Sequence, residues 1–453
     1  MIKELYAPYF ENKKVTVMGL GLLGRGIGDT AFLAEHGAKI TVTDKKTKDE
    51  LAPALLQLNK YNDISYVLGE HVVADFENKD FILKSAGVPL DSIFISHARA
   101  AGIPIYMSAA LLCHIVMKNL PNVVIIGITG TRGKSTTTEL IAHILSSNGS
   151  RVHTAGNVRG AANLPVLKDI EDNDFLVLEL DSWQLQGFGD LNISPHIAVF
   201  TSFLDDHLTY YKNNREDYFK DKANIYRHQH DGDVLIASPQ ASEEILIRDS
   251  GQTMIVPEQT NFEMIIIGEH NQIAASLAYE AAKQCGLDDE SIRKSIKSFS
   301  GVSGRLENLG LFQDVRVFND NNATTEDATI ASINAINKEY NQKPIVIVGG
   351  ADKGLSVKAL SDTLIAKTKA VVYLAGTGTD KIPLEKEFVF EKLEDCIRKA
   401  FELCYRGDII LFSPGFASFS KYFNNEYERN DFFVKEVQKY AEKKKIIDHE
   451  IFE

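Results

Sequence analysis

The sequence predicts an α/β protein of three consecutive domains: a Rossmann-like N-terminal domain, a P-loop-type central ATPase domain and a Rossmann-like C-terminal domain. Three observations predict it. At 453 residues the chain is too long for one hydrophobic core, and its length corresponds to about three domains. Short β-branched runs alternate with longer helical patterns, the signature of parallel sheets covered by helices. Two glycine-rich stretches, 18-MGLGLLGRG-26 and 127-GITGTRGKSTTTEL-140, each follow an apolar run and lead into a helix-like segment.

The first domain, 1–119, begins with the strand 14-KVTVMGLG-21, a helix to about Gly37 and the strand 38-AKITVTD-44. Two further apolar runs, 80-DFILKSAG-87 and 103-IPIYM-107, complete it. The second domain, 120–302, carries 122-NVVIIGITG-130, 174-DFLVLELD-181, 196-HIAVFTSF-203 and 233-DVLIAS-238, then a helix from Asn271 to about Cys285. The third domain, 303–453, carries 315-VRVFND-320, 344-PIVIVGG-350, 370-AVVYLAG-376 and 408-DIILFSPG-415. There is no low-complexity linker and no repeat of solenoid period.

Composition narrows the function classes. Hydrophobic content of 44% with 25% charged residues is that of a soluble globular protein. A net charge of -13 argues against a nucleic-acid or anionic-membrane surface, although a local loop can still bind phosphate. Cys113, Cys285, Cys396 and Cys404 form no CxxC pair, which suits a thiol-keeping compartment better than a disulfide scaffold. The start lacks a signal-peptide core, and no apolar run reaches the ~18 residues of a membrane span. A cytoplasmic chain with no membrane insertion is expected.

Strand, glycine-rich turn, Lys-Ser and helix together present backbone N–H groups and a helix N-terminus to phosphate oxygens. Gly130 and Gly133 allow the turn, Thr131 lies within it, and Lys134 would reach the terminal phosphates. Ser135 or Thr136 would hold Mg²⁺. A strict P-loop has glycine where Ile128 stands; here the upstream glycine is Gly127, one residue earlier. ATP or a relative is the expected ligand. Downstream, Glu179 ends the strand 175-FLVLE-179, and 205-DDHLTYY-211 sets Asp206 and His207 at a strand's carboxyl end. Parallel sheets bind ligands at those ends. Lys222 follows on the helical segment 218-YFKDKANIY-226.

With these residues assembled, the sequence resembles the Mur ligases, ATP-dependent amide-forming enzymes of peptidoglycan precursor synthesis. The resemblance is carried in order by 129-TGTRGKST-136, 156-GN-157, 179-ELDSWQL-185, 206-DH-207, Lys222, 268-GEHN-271, 304-GR-305 and 319-ND-320. The stretches 19-GLGLLG-24, 349-GGADKG-354 and 413-SPGFAS-418 are most similar to the branch that joins D-glutamate to UDP-N-acetylmuramoyl-L-alanine.

The resemblance implies roles residue by residue. Lys134 and the loop amides would cradle the ATP phosphates, with Ser135 or Thr136 on one Mg²⁺. Glu179 and His207 would hold metal, and Lys222 would bridge to a second Mg²⁺ as a carbamate, which turns a cationic side chain into an anion. Asn157 would lie near the reacting groups and Asn271 near the adenine. Arg305 and Asp320 would close over the nucleotide. A substrate carboxylate would attack the γ-phosphate to give an acyl phosphate, which the incoming amine displaces. Both steps concentrate negative charge, so metal ions, a lysine and an arginine are the expected stabilisers.

Taken alone, 19-GLGLLG-24 followed by Asp44 spells a dinucleotide fold and would suggest NAD. The resemblance instead implies a UDP site made by Gly21, Leu22, Leu23, Asp44, Lys45, Ser85 and Gly87, with the diphosphate at the helix N-terminus. It places the amino acid's carboxylates at Thr324, Lys353 and Ser418, and implies a monomer.

Four departures from the family pattern stand out. Asp181 replaces a usual serine beside the metal carboxylate, and Asn322 replaces a lysine near the amino-acid pocket. The acidic pair that usually ends the first domain is missing from 106-YMSAALL-112, and 419-FSKYFNNEYERN-430 aligns only with a one-residue gap. L-glutamate or another amino acid therefore stays open as the alternative substrate. A folate-type ligase would begin at the phosphate-loop domain, which this chain does not. An NAD-dependent oxidoreductase would leave the central motifs unexplained.

Overall fold

The computed structural model describes residues 2–21, 24–89, 91–158, 160–206, 210–258, 260–352, 357–418, 423 and 425–442. Among them three sheets form in chain order. The first contains β1 (Lys14–Met18), β2 (Lys39–Asp44), β3 (Ile64–Leu68), β4 (Phe81–Lys84) and β5 (Ile105–Tyr106), ordered β3-β2-β1-β4-β5 and parallel throughout. The second contains β6 (Val124–Thr129), β7 (Val152–Gly156), β8 (Phe175–Glu179), β9 (Ile197–Phe200) and β10 (Val234–Ala237), ordered β10-β9-β6-β8-β7 and also parallel. The third contains β11 (Glu307–Phe312), β12 (Val315–Asn319), β13 (Ile345–Val348), β14 (Ala370–Leu374), β15 (Val389–Phe390) and β16 (Ile409–Phe412). Its order is β11-β12-β16-β13-β14-β15, and the β11–β12 pair alone is antiparallel.

The predicted α/β class with three such layers is what forms. Strands β4, β9, β13 and β16 are buried on both faces, which is why they read as unbroken apolar runs. Four strands escape that reading: β3, β7, β11 and β15. All four are edge strands. An edge strand is covered less completely, so β3 has no fully buried residue, with Ser65 and Tyr66 exposed, and β7 keeps His153 and Thr154 half-buried.

The chain forms two compact units, one of Met1–Thr260 with Ala274–Ser295 and one of Asn261–Ile273 with Ile296–Glu453. In the first unit, the first two sheets share one hydrophobic core. Leu111, Leu112 and Ile115 of the helix Ser108–Asn119 join Leu180, Leu185 and Phe188 in it. In the second unit, Val317, Ile345, Ile347 and Phe412 face one side of the third sheet, and Phe318, Val346, Val348 and Leu411 the other. No helix among the described residues is long and apolar enough to cross a membrane.

Candidate active site

The phosphate loop is shaped by what packs under it. After β6 the chain turns through Gly130 at φ +146°. A Cβ there would stand 2.0 Å from Thr201 Oγ1 and 2.8 Å from Ser202 N, so only glycine fits. The exit of β9 then fastens the loop. Thr131 N donates to Ser202 O at 2.7 Å, and Arg132 N donates to Ser202 Oγ at 2.8 Å. Gly133, left-handed at φ +84°, is the N-cap of the helix Lys134–Ser147, and no side chain caps that end. This is the arrangement that offers helix N–H groups to an anion. On the first turn Ser135 is half-buried and Thr136 buried.

Two lysines meet over this turn. Lys134 Nζ donates to Gly130 O at 3.0 Å and to Thr131 O at 3.2 Å. Lys222 comes from the helix Arg215–Ala223, which Asn214 caps by accepting from Glu216 N and Asp217 N. Its Nζ donates to the same Gly130 O at 2.8 Å, with Thr129 Oγ1 at 3.5 Å, and it sits 4.9 Å from the Tyr218 ring centroid. Lys222 is 1% exposed, with the charges of Asp181, Asp206 and Glu179 acting on it from nearby. Burial first, and the Lys134 charge next, hold its pKa well below the usual lysine value.

Beside them, Glu179 at the end of β8 is buried. Asn157 N donates to Glu179 O at 2.7 Å, and Asn157 Nδ2 reaches Glu179 Oε1 at 3.4 Å. Glu139, on the loop's helix, has its carboxyl pushed up by burial and by the Glu179 charge. Asp206 pairs with Arg132 of the loop at 3.0 Å. His207 lies outside the described residues, and those residues contain no group of three His, Cys, Asp or Glu side chains placed to hold a metal. The donors brought together are Glu179, the hydroxyl-bearing first turn of the helix, and a buried amine. Asp181 has a structural explanation: it caps the helix Ser182–Leu191, accepting from Gln184 N at 2.7 Å while Gln184 Oε1 accepts from Asp181 N. Serine and aspartate both serve as N-caps.

The first glycine turn sits at the switch point of the first sheet, between β1 and β4, where open parallel sheets form a crevice. Leu20 N and Gly21 N donate to Asp44 Oδ2 at 2.8 and 3.3 Å, and Lys46 N donates to Asp44 Oδ1 at 2.9 Å. Asp44 thus braces the turn with both carboxylate oxygens. Ser85, whose N donates to Met18 O, lies against Gly19. Lys45 and Gly87 are exposed on the neighbouring loops, and Leu22 and Leu23 lie outside the described residues. Gly24, left-handed, begins the helix Arg25–Glu35, again with no side-chain cap.

In the second unit, Asn271 is buried and donates from Nδ2 to Ile267 O at 2.7 Å. Arg305 is exposed. Asp320 is buried and accepts from Ser332 Oγ, Ser413 Oγ and Leu306 N at 2.6, 2.8 and 3.0 Å. Burial still raises its carboxyl to about 6. Thr324 is half-buried, Ser418 lines a cavity of about 190 Å³, and Lys353 lies outside the described residues. Asn322 holds the turn at Gly304 through a backbone bond to Gly304 O at 2.9 Å.

Three basic residues at these sites were not singled out from sequence. Lys84 is buried, donates to Ser85 O and Val88 O at 3.1 and 2.6 Å, and is pulled down to about 8 by burial. Arg429 is buried on the cavity beside Ser418 and grips Asn321 with Nε and Nη2, leaving Nη1 without a partner among the described residues. Arg25 donates from Nη2 to Asn157 Oδ1 at 2.9 Å. A lysine ending a buried strand was a signal for the first. The other two stand in segments whose neighbours only the fold reveals.

Comparison with known proteins agrees with this geometry. Residues 128–253 match the Mur ligase middle domain, and residues 13–107 match the Mur ligase MurD-like N-terminal domain. A UDP-N-acetylmuramoylalanine–D-glutamate ligase from Borreliella afzelii (strain PKo) is 33% identical, over 94% of this chain and 98% of its own. One of the same description from Roseiflexus sp. (strain RS-1) is 32% identical, over 95% and 99%. Among solved structures, UDP-N-acetylmuramate–alanine ligase MurC from Thermotoga maritima superposes with a TM-score of 0.61 at 17% identity, covering 94% of this chain and 99% of its own. MurF ligase from Thermotoga maritima, in complex with ADP, gives 0.59 at 16%, covering 97% of each chain.

Proposed function

The chain belongs to the Mur ligase family, and from that premise we propose that it is the ATP-dependent ligase that joins D-glutamate to UDP-N-acetylmuramoyl-L-alanine in peptidoglycan precursor synthesis. The observation that carries this reading is identity of about one third along nearly the whole length of D-glutamate ligases, first domain included. No specific observation favours L-glutamate: Asp181 acts as a cap, and Asn322 holds a turn. The reading puts the protein in the cytoplasm, where ATP and the nucleotide sugar are found, and treats it as a monomer.

In this reading the alanyl carboxylate of the nucleotide sugar attacks the γ-phosphate and ADP leaves. The amino group of D-glutamate then adds to the acyl phosphate carbon, loses a proton, and expels inorganic phosphate. Gly130, Thr131, Gly133 and Lys134 hold the ATP phosphates, and Lys134 compensates the charge that builds on them. Asn157 orients the reacting oxygens. Asn271, Arg305 and Asp320 are the further residues assigned to the nucleotide. The first glycine turn, with Gly21, Leu22, Leu23, Lys45, Ser85 and Gly87, takes the UDP moiety, and Asp44 fixes its shape. Thr324, Lys353 and Ser418 take the carboxylates of glutamate.

Hard divalent cations take oxygen donors, and the residues gathered at the β6–β8 end suit them. Glu179, Ser135 or Thr136, His207 and Lys222 would hold two Mg²⁺ ions. When bound, these ions supply positive charge opposite the phosphate oxygens. A buried lysine whose pKa is held down in this way can take up CO₂ through its free amine, giving a carbamate anion and releasing one proton. That modification would supply the anionic oxygens which Lys222 lacks as an amine.

The test is phosphate release from Mg²⁺–ATP with UDP-N-acetylmuramoyl-L-alanine and either enantiomer of glutamate. Release with D-glutamate alone is expected. Release with L-glutamate alone would reassign the amino acid, and release with neither would sink the reading.

A further inference from the structure

Arg25 opens the helix that follows the first glycine turn, yet its guanidinium reaches across to the second sheet. Arg25 Nη2 donates to Asn157 Oδ1 at 2.9 Å, and Asn157 Nδ2 faces Glu179 Oε1 at 3.4 Å. These partners determine which way the amide points. A guanidinium has only donors and so requires the oxygen; a carboxylate accepts and so requires the nitrogen. The backbone of Asn157 is separately tied to Glu179 O at 2.7 Å, which leaves the side-chain torsions as the freedom that Arg25 removes.

Neighbouring contacts keep the bridge in register. Asp29, one turn further along the same helix, is 3% exposed and accepts from Leu164 N at 2.8 Å. Gly28 faces Ala162 so closely that a Cβ would stand 2.5 Å from the Ala162 Cβ. The helix is thus locked onto the segment that follows Asn157, which holds the Arg25 backbone at a fixed distance from its acceptor.

We propose that Arg25 is a positioning residue for the ligase reaction: it fixes the Asn157 amide with its nitrogen toward Glu179. It thereby links the turn assigned to the nucleotide sugar with the end of β8 assigned to Mg²⁺–ATP. The inference rests on the ligase reading of the site. A group held within a fraction of an ångström by an outer partner loses one to two orders of magnitude when that partner is removed.

The experiment is a double-mutant cycle on the full chain, with Arg25→Met, Asn157→Ala and the double variant, plus Arg25→Lys. Turnover and the KM of each substrate are measured, and calorimetry follows binding of a non-hydrolysable ATP analogue with and without Mg²⁺. Arg25→Met is expected to lower kcat about tenfold with the KM for glutamate unchanged, and Arg25→Lys to regain part of it. In the Asn157→Ala background the same change should cost nothing further. Calorimetry should show binding weakened about threefold with Mg²⁺ and not without it. Multiplicative losses, or equal weakening with and without Mg²⁺, overturn the proposal. So does a raised KM for the nucleotide sugar alone, which would make Arg25 a substrate contact. Wild-type protein that releases no phosphate fails the ligase reading instead, and the calorimetric cycle still decides the coupling.

Discussion

Lys134 and Lys222 donate to one carbonyl oxygen, that of Gly130, at 3.0 and 2.8 Å. Two ammonium ions that close, one of them buried, would repel strongly. Burial and the Lys134 charge accordingly hold the Lys222 pKa well below the usual lysine value. A neutral amine can carry a carbamate, whereas an arginine at the same place stays charged.

Removing CO₂ from wild-type protein at mildly acidic pH should therefore lower phosphate release, and bicarbonate should restore it. Lys222→Ala and Lys222→Arg should both lose on the order of 10²–10³ in turnover, as for other electrostatic groups at reacting charge, and neither should respond to bicarbonate. Indifference of the wild type to CO₂ would remove the carbamate from the assignment.

Gly130 and Gly133 make a graded pair. A Cβ on Gly133 meets nothing closer than 3.5 Å, so Gly133→Ala carries only the strain of a left-handed residue, about 1 kcal/mol. A Cβ on Gly130 collides with Thr201 Oγ1 and the Ser202 backbone, so Gly130→Ala should cost about 2–4 kcal/mol and open the loop. Melting temperature and nucleotide titration of the two variants check this. Equal effects would mean that the loop is free to shift away from β9.

Asp181 tests whether a departure from the family pattern is functional or structural. As a helix cap it should be replaced by serine at a cost of a few tenths of a kcal/mol, whereas Asp181→Ala should cost about 1 kcal/mol. Turnover of Asp181→Ser should stay within about threefold of wild type, since both residues make the N-cap bond to the Gln184 N–H. A large loss of turnover with unchanged stability would put Asp181 in the reaction instead.

Legibility in the sequence followed burial. β6, β9, β13 and β16 could be read because they are apolar over both faces, while β3, β7, β11 and β15 could not because edges dilute that pattern. The site divides similarly. Lys134, Glu179 and Lys222 lie in ordered motifs, and the fold gathers their strands and helices at one sheet end. Arg25 and Asn157 are 132 residues apart, and nothing local in either segment announces the other. Asp44 was visible as an acidic residue after β2, but its work in bracing Leu20 N, Gly21 N and Lys46 N depends on backbone directions that spacing does not encode.

Asp29 sets a pH dependence that can be isolated. Burial between the first two sheets raises its carboxyl from the ordinary 3.8 to about 6, with the Leu164 N–H, Ser108, Asn163 and Arg25 only partly opposing that rise. Because the folded pKa is the higher one, the folded state binds more protons than the unfolded chain between the two values. Stability from this group is therefore full below about pH 4 and is lost as pH rises through about 6; a shift of about two pKa units is worth about 3 kcal/mol. Asp320 titrates in the same direction, so total stability alone does not separate them. Asp29→Asn keeps an oxygen to accept from Leu164 N and removes the ionisation. Its stability relative to wild type should accordingly rise between pH 4 and pH 7, and the Asp320 contribution cancels in the difference. Chemical-denaturation midpoints of the two proteins, measured across that range, check the sign. A gap that does not change with pH would mean that Asp29 stays ionised in the fold, held by the Arg25 charge rather than governed by burial.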